Sequence, residues 1–361
     1  MIYCTLFNSN YLDKAKVMID SLKLVDHDMV IYVLCMDDIT FDILTDLHIS
    51  GCKLIKLGDF EDDELLSIKG KRSPGEYCWT CTAKLIEYVL LKFNEEICTY
   101  VDADLYFYSN PSVLIDEMKN NNCSVQIVPH NFPKSSYGKK LENESGKYCV
   151  QFNTFTKDEK SMRLLKEWIS QCINECSVSS AGDQQYLSSW DRYSYVNISK
   201  LEGAGVAPWN VGKYELLENN DSLIRNVESG KSCQLLFYHF QNVVNFSRYK
   251  VKIHPLFSFW RIDKRLIKKI YYEYLIRIEE AKSFFENEYH FLPIVTSYIS
   301  DKRPNYFSYF CRFLKHPFKE TSNSFQRIKF LILSSIRKKE GVVDVRLLKQ
   351  LNKENGQYDN S

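Results

Sequence analysis

Two aspartates, Asp102 and Asp104, stand one residue apart where the short apolar run 97–101 ends. In an extended backbone, residues two positions apart point to the same side, so both carboxylates would project together from a strand end. Hard oxygen ligands that converge in this way suit Mg2+ or Mn2+, with phosphate oxygens completing the coordination shell. The D-x-D pattern is short and common, and two solvated turn aspartates would have the same sequence. The elements around the pair must therefore distinguish a metal site from a turn.

These surrounding elements alternate between strand and helix. Apolar runs predict strands over 2–7, 30–36 and 52–57, and amphipathic segments predict helices over 11–25 and 39–49. This order is typical of a doubly wound α/β sheet. The second run is continuously apolar, as expected for a strand that is buried on both faces of a parallel sheet.

Polar residues follow three of the predicted strands. Asn8 follows the first strand, Asp37 and Asp38 follow the second, and Asp102 and Asp104 follow the strand that begins at residue 97. In open α/β sheets, ligands bind at the carboxyl ends of the strands. The convergence of these side chains favours a ligand site over a pair of solvated turn residues.

The chain continues with further helices and strands up to residue 250. Helices are predicted over 77–93, 112–121 and 158–176, strands over 124–129, 148–156 and 234–240, and loops over 61–75 and 131–147. His239 lies near the end of the last of these strands. A lone histidine is usually structural, but with two carboxylates it would complete a mixed oxygen and nitrogen site that suits Mn2+.

Composition defines the broad class of the protein. The chain has 361 residues, of which 45% are hydrophobic and 26% charged, as in soluble globular proteins. A formal net charge of +1 gives no general attraction to nucleic acid. We see neither a signal peptide nor an apolar window of about 18 residues, and therefore expect a cytoplasmic protein without a membrane span.

The twelve cysteines are scattered along the chain, and we expect them to be reduced and mostly buried. Cys78 and Cys81, and also Cys172 and Cys176, have spacings that zinc could use. Neither pair has an evident matching pair elsewhere, so buried thiols are the favoured interpretation.

The character of the chain changes after residue 250. Two basic amphipathic helices are predicted over 261–290 and 323–350. We therefore expect a catalytic domain over 1–250, a basic and aromatic helical region over 251–350 and a disordered tail over 351–361. Basic amphipathic helices either pack on their own domain or lie on an anionic membrane. Peripheral contact with the inner face of the membrane is thus an open alternative.

Several stretches together resemble GT-A-type glycosyltransferases, in particular the glycogenin and bacterial galactosyltransferase group and bacterial polysaccharide enzymes. They are residues 3–8, 11–12, 100–104, 152–154, 182–187, 207–210 and 238–240. No stretch is specific alone, and the resemblance depends on their order and spacing within residues 1–245. It implies a GT-A-like, mostly parallel mixed sheet flanked by helices, with a C-terminal helical appendage. It also implies transfer of a sugar from a nucleotide-diphosphate sugar, most often a UDP-sugar, to a glycan or lipid-linked acceptor in surface polysaccharide biosynthesis.

The resemblance also implies roles for individual residues. Asp102, Asp104 and His239 would hold Mn2+ or Mg2+. The donor would contact Thr5, Leu6 and Asn8 near its base and ribose, and Lys84 and Asn153 near its phosphates or sugar, while Asp183 and Gln184 would lie over the donor sugar. The glycogenin-like group usually has a phosphate-binding lysine after its metal histidine. Here Phe240, Gln241 and Asn242 follow His239, so that lysine is absent.

The stereochemistry and the class of activity have alternatives. An inverting transfer needs a carboxylate base, for which Asp183 is the candidate. In a retaining transfer, which the resemblance favours, Asp183 or Gln184 would stabilise the developing sugar cation. A sugar nucleotidyltransferase usually has a glycine-rich basic loop after its first strand, whereas residues 8–10 are Asn-Ser-Asn. A non-catalytic nucleotide-sugar or carbohydrate-binding protein is the third class, and the oligomeric state is left open.

Overall fold

The structure is a computed structural model that describes residues 1–217, 222–252, 263–293 and 342–345. Its strands are β1 (Ile2–Phe7), β2 (Val30–Cys35), β3 (Cys52–Lys56), β4 (Ile97–Val101), β5 (Leu105–Phe107), β6 (Val125–Pro129), β7 (Tyr148–Thr156), β8 (Val196–Ile198), β9 (Tyr214–Leu216), β10 (Leu223–Asn226), β11 (Ser232–Gln234), β12 (Phe237–His239), β13 (Val244–Ser247), β14 (Lys250–Lys252) and β15 (Val342–Asp344). Its α-helices are α1 (Leu12–Val25), α2 (Asp38–Leu47), α3 (Leu57–Phe60), α4 (Asp63–Lys69), α5 (Pro74–Lys92), α6 (Ser112–Asn120), α7 (Ser136–Ser145), α8 (Glu159–Asn174) and α9 (Lys264–Tyr289). Short 3-10 segments lie at Ser9–Tyr11, Val178–Ser180, Gly182–Arg192 and Val211–Lys213.

A seven-stranded sheet in the order β3-β2-β1-β4-β7-β6-β8 forms the centre of the fold. Strands β1 to β4 run parallel to their neighbours among themselves, and β8 runs parallel to β6. Strand β7 is antiparallel to both β4 and β6. The predicted fold class, a mixed and mostly parallel sheet flanked by helices, is therefore confirmed. The continuously apolar β2 has a parallel neighbour on each side, as its sequence predicted.

Hydrophobic side chains cover both faces of this sheet. Along β4 the side chains alternate, so that Tyr100 packs with one cluster and Val101 with the other. Helices α1 and α9 cover the Val101 face, where Met18 and Ile278 are fully buried. Helices α5 and α8 cover the Tyr100 face, where Trp168 is fully buried. Both layers reach the end of β4 at which the two aspartates lie.

Helix α5 starts at a strong sequence signal. Ser73 and Glu76 form a capping box, in which each side chain bonds the backbone of the other residue, and Pro74 occupies the first helical position. This start determines which residues of α5 face the sheet. Thr82 is buried as a result, whereas Trp79 remains partly exposed.

Two segments predicted as loops contain helices. Residues 131–147 include α7 and residues 61–75 include α4. In both, a side chain at the N-terminus, Ser135 or Asp62, accepts a hydrogen bond from the backbone N–H three residues later. The prediction was wrong because these segments are rich in polar and small residues, so that no apolar period marks the helix.

The prediction of a single strand over 234–240 is also wrong, because the structure has two separate strands there, β11 and β12. The structure places β11 in a three-stranded sheet with β10 and β9, and β12 antiparallel to β5. The strand is interrupted at Leu235 and Leu236, where the carbonyl of Leu236 accepts a hydrogen bond from the N–H of Tyr108. This separate pairing places His239 opposite Leu105, next to the aspartates.

The C-terminal predictions have mixed outcomes. The helix expected over 261–290 is confirmed by α9. Residues 342–344, expected to be helical, instead form β15 and pair with β14. Residues 323–341, 346–350 and the tail lie outside the described residues, and the division of the chain at residue 250 stays a prediction. Within the described ranges, no helix has both the length and the apolar character that a membrane crossing requires.

Candidate functional site

Asp102, Asp104 and His239 meet at one end of the central sheet. The two aspartates lie in the turn between β4 and β5, and His239 is the last residue of β12. His239 Nε2 lies 3.1 Å from Asp104 Oδ1 and 3.7 Å from Asp102 Oδ2. One potential ligand atom from each residue lies within 4.8 Å of the others. A single divalent cation can therefore contact all three side chains.

The charges of these three residues are coupled. Burial alone would lower the pKa of His239, but the negative charges of Asp104 and Asp102 raise it well above its usual value. Burial alone would raise the pKa of Asp104, but the charge of His239 and its hydrogen bond lower it. Burial raises the pKa of Asp102 to about 6. The positive charge of His239 lowers this pKa, and the negative charge of Asp104 raises it further. The two carboxylates thus favour the protonated form of His239 when no metal is bound.

Asp183 belongs to the same electrostatic group. It lies in the 3-10 segment Gly182–Arg192, and its side chain is close enough to the hydroxyl of Thr82 for the two to interact. The hydroxyl of Tyr100 interacts with both Asp102 and Thr82 and so links Asp183 to the aspartate pair. Burial raises the pKa of Asp183 to about 8, the charge of Asp102 adds to the increase, and the Thr82 hydrogen bond offsets part of it. The loop is held in place by Trp168, whose Nε1 donates to the Asp183 carbonyl at 3.0 Å.

The residues predicted to contact the donor base lie at the end of β1 and just after it. Thr5 is fully buried and its Oγ1 has no hydrogen-bond partner. Leu6 packs in the core on the α5 face of the sheet. Asn8 Oδ1 accepts a hydrogen bond of 3.2 Å from the N–H of Asn10 and so caps the turn after the strand. Because β1 and β4 are parallel neighbours, these residues lie at the same end of the sheet as Asp102 and Asp104. Their contacts with a donor stay predictions.

The remaining predicted residues have different surroundings. Asn153 lies opposite Tyr100 on β7, and both polar atoms of its buried side chain have no hydrogen-bond partner. Such groups are rare in proteins and indicate a place where a ligand or water completes the bonding. Gln184 is partly buried in the segment that carries the candidate catalytic carboxyl. Lys84 lies 2.6 Å from Asp62 Oδ2, so this cation is paired with the N-cap of α4.

The sequence analysis missed a second group of residues beside Asp104. Lys14 of α1 is buried, lies 3.8 Å from the centre of the Tyr11 ring, and is close enough to Asp104 for their charges to interact. Tyr274 of α9 stacks on Phe240 with 3.5 Å between ring centres, and its buried hydroxyl has no hydrogen-bond partner. The Phe240 N–H in turn donates to the Asp104 carbonyl at 2.9 Å. No sequence motif marks Lys14 or Tyr274, and their positions beside Asp104 follow only from the packing of α1 and α9.

Among the described residues, the cysteines form no comparable group. All described cysteines are free thiols and most are buried, as predicted. Within the described residues, the group of three or more potential metal ligands is the one formed by the two aspartates and the histidine. The pairs Cys78/Cys81 and Cys172/Cys176 therefore have no further ligands there with which to complete a structural zinc site.

Comparisons with known proteins give relatives of limited identity, and no protein-family profile matches the chain. The chain is 29% identical to the uncharacterized protein YfnF of Bacillus subtilis (strain 168) over 300 residues, which are 80% of this chain and 95% of YfnF. It is similar to the galactosyltransferase LgtC in complex with donor and acceptor sugar analogs, with a TM-score of 0.46, 12% identity, and coverage of 78% of this chain and 96% of LgtC. It is also similar to mouse xyloside xylosyltransferase 1, with a TM-score of 0.42, 12% identity, and coverage of 67% and 97%.

Proposed function

We propose that this chain is a metal-dependent glycosyltransferase that moves a sugar from a nucleotide-diphosphate sugar, a UDP-sugar foremost, to a glycan or lipid-linked acceptor in surface polysaccharide biosynthesis. The supporting observation is that Asp102, Asp104 and His239 converge beside the buried carboxyl of Asp183. Such a transfer needs one group that stabilises a leaving diphosphate and another that acts at the sugar carbon. The two parts of the site suit these two tasks.

The donor set of the triad suits Mn2+ or Mg2+, since it offers two carboxylates and one imidazole. When bound, such a cation would stabilise the negative charge that develops on the leaving diphosphate. The chain itself positions the ligands, because the hydroxyl of Tyr100 interacts with Asp102 and the N–H of Phe240 donates to the backbone carbonyl of Asp104. The unpartnered amide of Asn153 offers hydrogen bonds to the donor from the neighbouring strand.

Asp183 is the candidate for chemistry at the sugar. Its raised pKa keeps the carboxyl largely protonated at neutral pH while the neighbouring Asp102 is charged and no cation is bound. A cation bound at the triad would offset the charge of Asp102, the second cause of the raised pKa after burial, and would so favour the carboxylate form of Asp183. The carboxylate, with Gln184 next to it, would then stabilise positive charge on the donor sugar in a retaining transfer, the route that the motif resemblance favours. An inverting enzyme would use the same carboxylate as a base.

A cytoplasmic location is part of the proposal, with peripheral membrane contact as its alternative. Helix α9 packs its apolar side on the domain, since Ile270, Tyr274 and Ile278 are fully buried. This packing favours a helix that belongs to the catalytic unit over one that inserts into a membrane. Flotation with anionic liposomes, comparing the full chain with the same chain at high salt, would detect an electrostatic membrane contact.

The function can be tested by thermal denaturation. We expect UDP and Mn2+ together to raise the melting temperature well beyond either alone, because ligands that bind only the folded state stabilise it. Asp102→Asn should abolish this increase, and an unchanged increase would show that the metal assignment is wrong. Hydrolysis of UDP-, GDP- and CMP-sugars with Mn2+ then identifies the donor. Binding without hydrolysis or transfer of any donor would favour a non-catalytic binding protein.

A further inference from the structure

We propose that Trp79 is the stacking platform for a pyranose ring at the mouth of this site, an inference that rests on the proposed function. Trp79 lies on α5, one turn before Thr82, whose hydroxyl interacts with Asp183. Its side chain is 38% exposed. The other described tryptophans, Trp168, Trp190 and Trp209, are at most 4% exposed. A large apolar ring open to water beside a candidate catalytic carboxyl gains free energy when a ligand covers it.

The loop that carries Asp183 rests directly on this indole. A Cβ atom at Gly182 would lie only 2.9 Å from Trp79 Cε3, so the backbone at Gly182 contacts the six-membered ring. Gly182 also has a φ of +62°, which glycine adopts without strain. The contact holds one part of the indole against the loop while the ring remains partly open to solvent. The platform and the carboxyl are therefore positioned by the same contact.

A pyranose is the ligand class that suits this surface. A sugar ring presents a face of C–H bonds, which packs on an aromatic ring, while its hydroxyl groups remain hydrated or bond polar neighbours. Two sugars would come near Asp183 in the proposed reaction, the one on the donor and the one at the end of the acceptor. Either sugar would place its C–H face on the Trp79 indole, and separate arms of one experiment distinguish the two sugars.

Acrylamide quenching of tryptophan fluorescence can follow this contact. Trp260→Phe removes the tryptophan outside the described residues, and quenching then reports mainly on Trp79 because the other three are buried. UDP, GDP and dTDP, each with Mn2+, are first ranked by thermal shift on this protein. In the donor arm, the nucleotide sugars of the best base are compared with the nucleoside diphosphate alone. In the acceptor arm, methyl pyranosides of glucose, galactose, mannose and N-acetylglucosamine are added to the saturated nucleotide complex.

We expect a saturable decrease in quenching in the arm whose sugar stacks on Trp79. Trp79→Leu should weaken the affinity for that sugar about tenfold, the size of one aromatic contact. Its affinity for the nucleoside diphosphate should not change, and Trp79→Phe should retain most of the sugar affinity. Phe93→Leu is the matched control, since Phe93 is also 38% exposed and caps the other end of α5.

Three outcomes would overturn the proposal. The first is that no sugar protects Trp79 in either arm although the nucleoside diphosphate binds, which leaves the proposed function intact. The second is that Phe93→Leu weakens sugar binding as much as Trp79→Leu. The third is that none of the nucleoside diphosphates binds the starting protein with Mn2+, which overturns the proposed function as well.

Discussion

The imidazole Nε2 of His239 lies 3.1 Å from Oδ1 of Asp104 and joins the end of β12 to the turn after β4. A second link is the backbone hydrogen bond from Phe240 to Asp104, at 2.9 Å. This bond continues the antiparallel pairing of β12 with β5, so one backbone ladder and one side-chain contact together fix the histidine against the aspartates. The candidate ligands are thus assembled by the fold itself, and metal binding exchanges a proton for a cation in a preformed site.

This exchange predicts that Mn2+ binds more tightly as the pH rises. The pKa of His239 is raised because its two carboxylate neighbours outweigh burial, so a proton must leave before the ring can bind a metal. We expect the affinity to increase up to about tenfold per pH unit below that pKa. Isothermal titration calorimetry between pH 6 and pH 9, in buffers of different ionisation enthalpy, would measure both the affinity and the protons released.

His239→Ala is the control for this pH dependence. The variant should bind Mn2+ more weakly and with a flatter pH profile, and its fold should be intact by circular dichroism. An affinity that does not change with pH in the original protein, or a profile that His239→Ala leaves unaltered, would show that the histidine is not a ligand.

The carboxyl of Asp183 predicts an unusual pH dependence of stability in the metal-free protein. Burial and Asp102 raise its pKa to about 8, whereas an unfolded aspartate has a pKa near 3.9. Between these values the folded state holds a proton that the unfolded state has lost, so this group lowers the free energy of unfolding as the pH rises. Asp183→Asn removes the effect. We expect the variant to be more stable than the original protein above pH 8, by on the order of a few kcal/mol, with the difference vanishing near pH 4.

Urea denaturation in EDTA at several pH values would measure this difference. Saturating Mn2+ should reduce it, because the cation compensates the charge of Asp102 that helps to raise the pKa. Asp183→Asn should also lose sugar transfer, which separates stability from activity. Equal stability of the two proteins at every pH would show that the pKa of this carboxyl is not raised in the folded state.

The parts of the fold that could be predicted from sequence are those with long, continuous patterns. The apolar run of β2 and the alternation around it indicate the parallel half of the sheet, and the polar residues at strand ends indicate where a ligand binds. Asp102 and Asp104 could be found because their spacing has chemical meaning in a strand. The break at Leu235 and Leu236 could not, because the run stays apolar and the break follows from pairing with β5.

The residues that sequence reasoning missed act through long-range packing. Lys14 lies on a helix in which nothing distinguishes it from a solvated lysine, and its burial depends on how α1 packs on the sheet. Tyr274 lies on α9 and Trp79 on α5, and their positions depend on how these two helices pack on opposite faces of the sheet. No local period or motif reports such contacts.

Gly182→Ala should impair the site more than the fold. The added methyl group would meet the Trp79 ring. The alanine backbone would also have to adopt a φ of +62°, which costs about 1–2 kcal/mol. Since Asp183 is the next residue, relief of the clash moves the candidate catalytic carboxyl. We expect a loss of transfer activity of more than tenfold. Gly70→Ala is the matched control, because its Cβ would meet no atom within 4 Å. Comparable activity losses in both variants would contradict the positional argument.

Tyr274→Phe tests whether α9 belongs to the catalytic unit. The hydroxyl of Tyr274 is buried without a hydrogen-bond partner, and its ring stacks on Phe240, the residue after the candidate metal ligand His239. Removing an unsatisfied buried hydroxyl should stabilise the metal-free protein by about 1 kcal/mol. If the hydroxyl bonds a ligand or its water at the site, the same variant should bind the Mn2+ and UDP pair more weakly, so stability and affinity would change in opposite directions. Thermal melts with and without the ligands measure both, and a variant that is less stable without ligands would show that the hydroxyl has a partner in the protein.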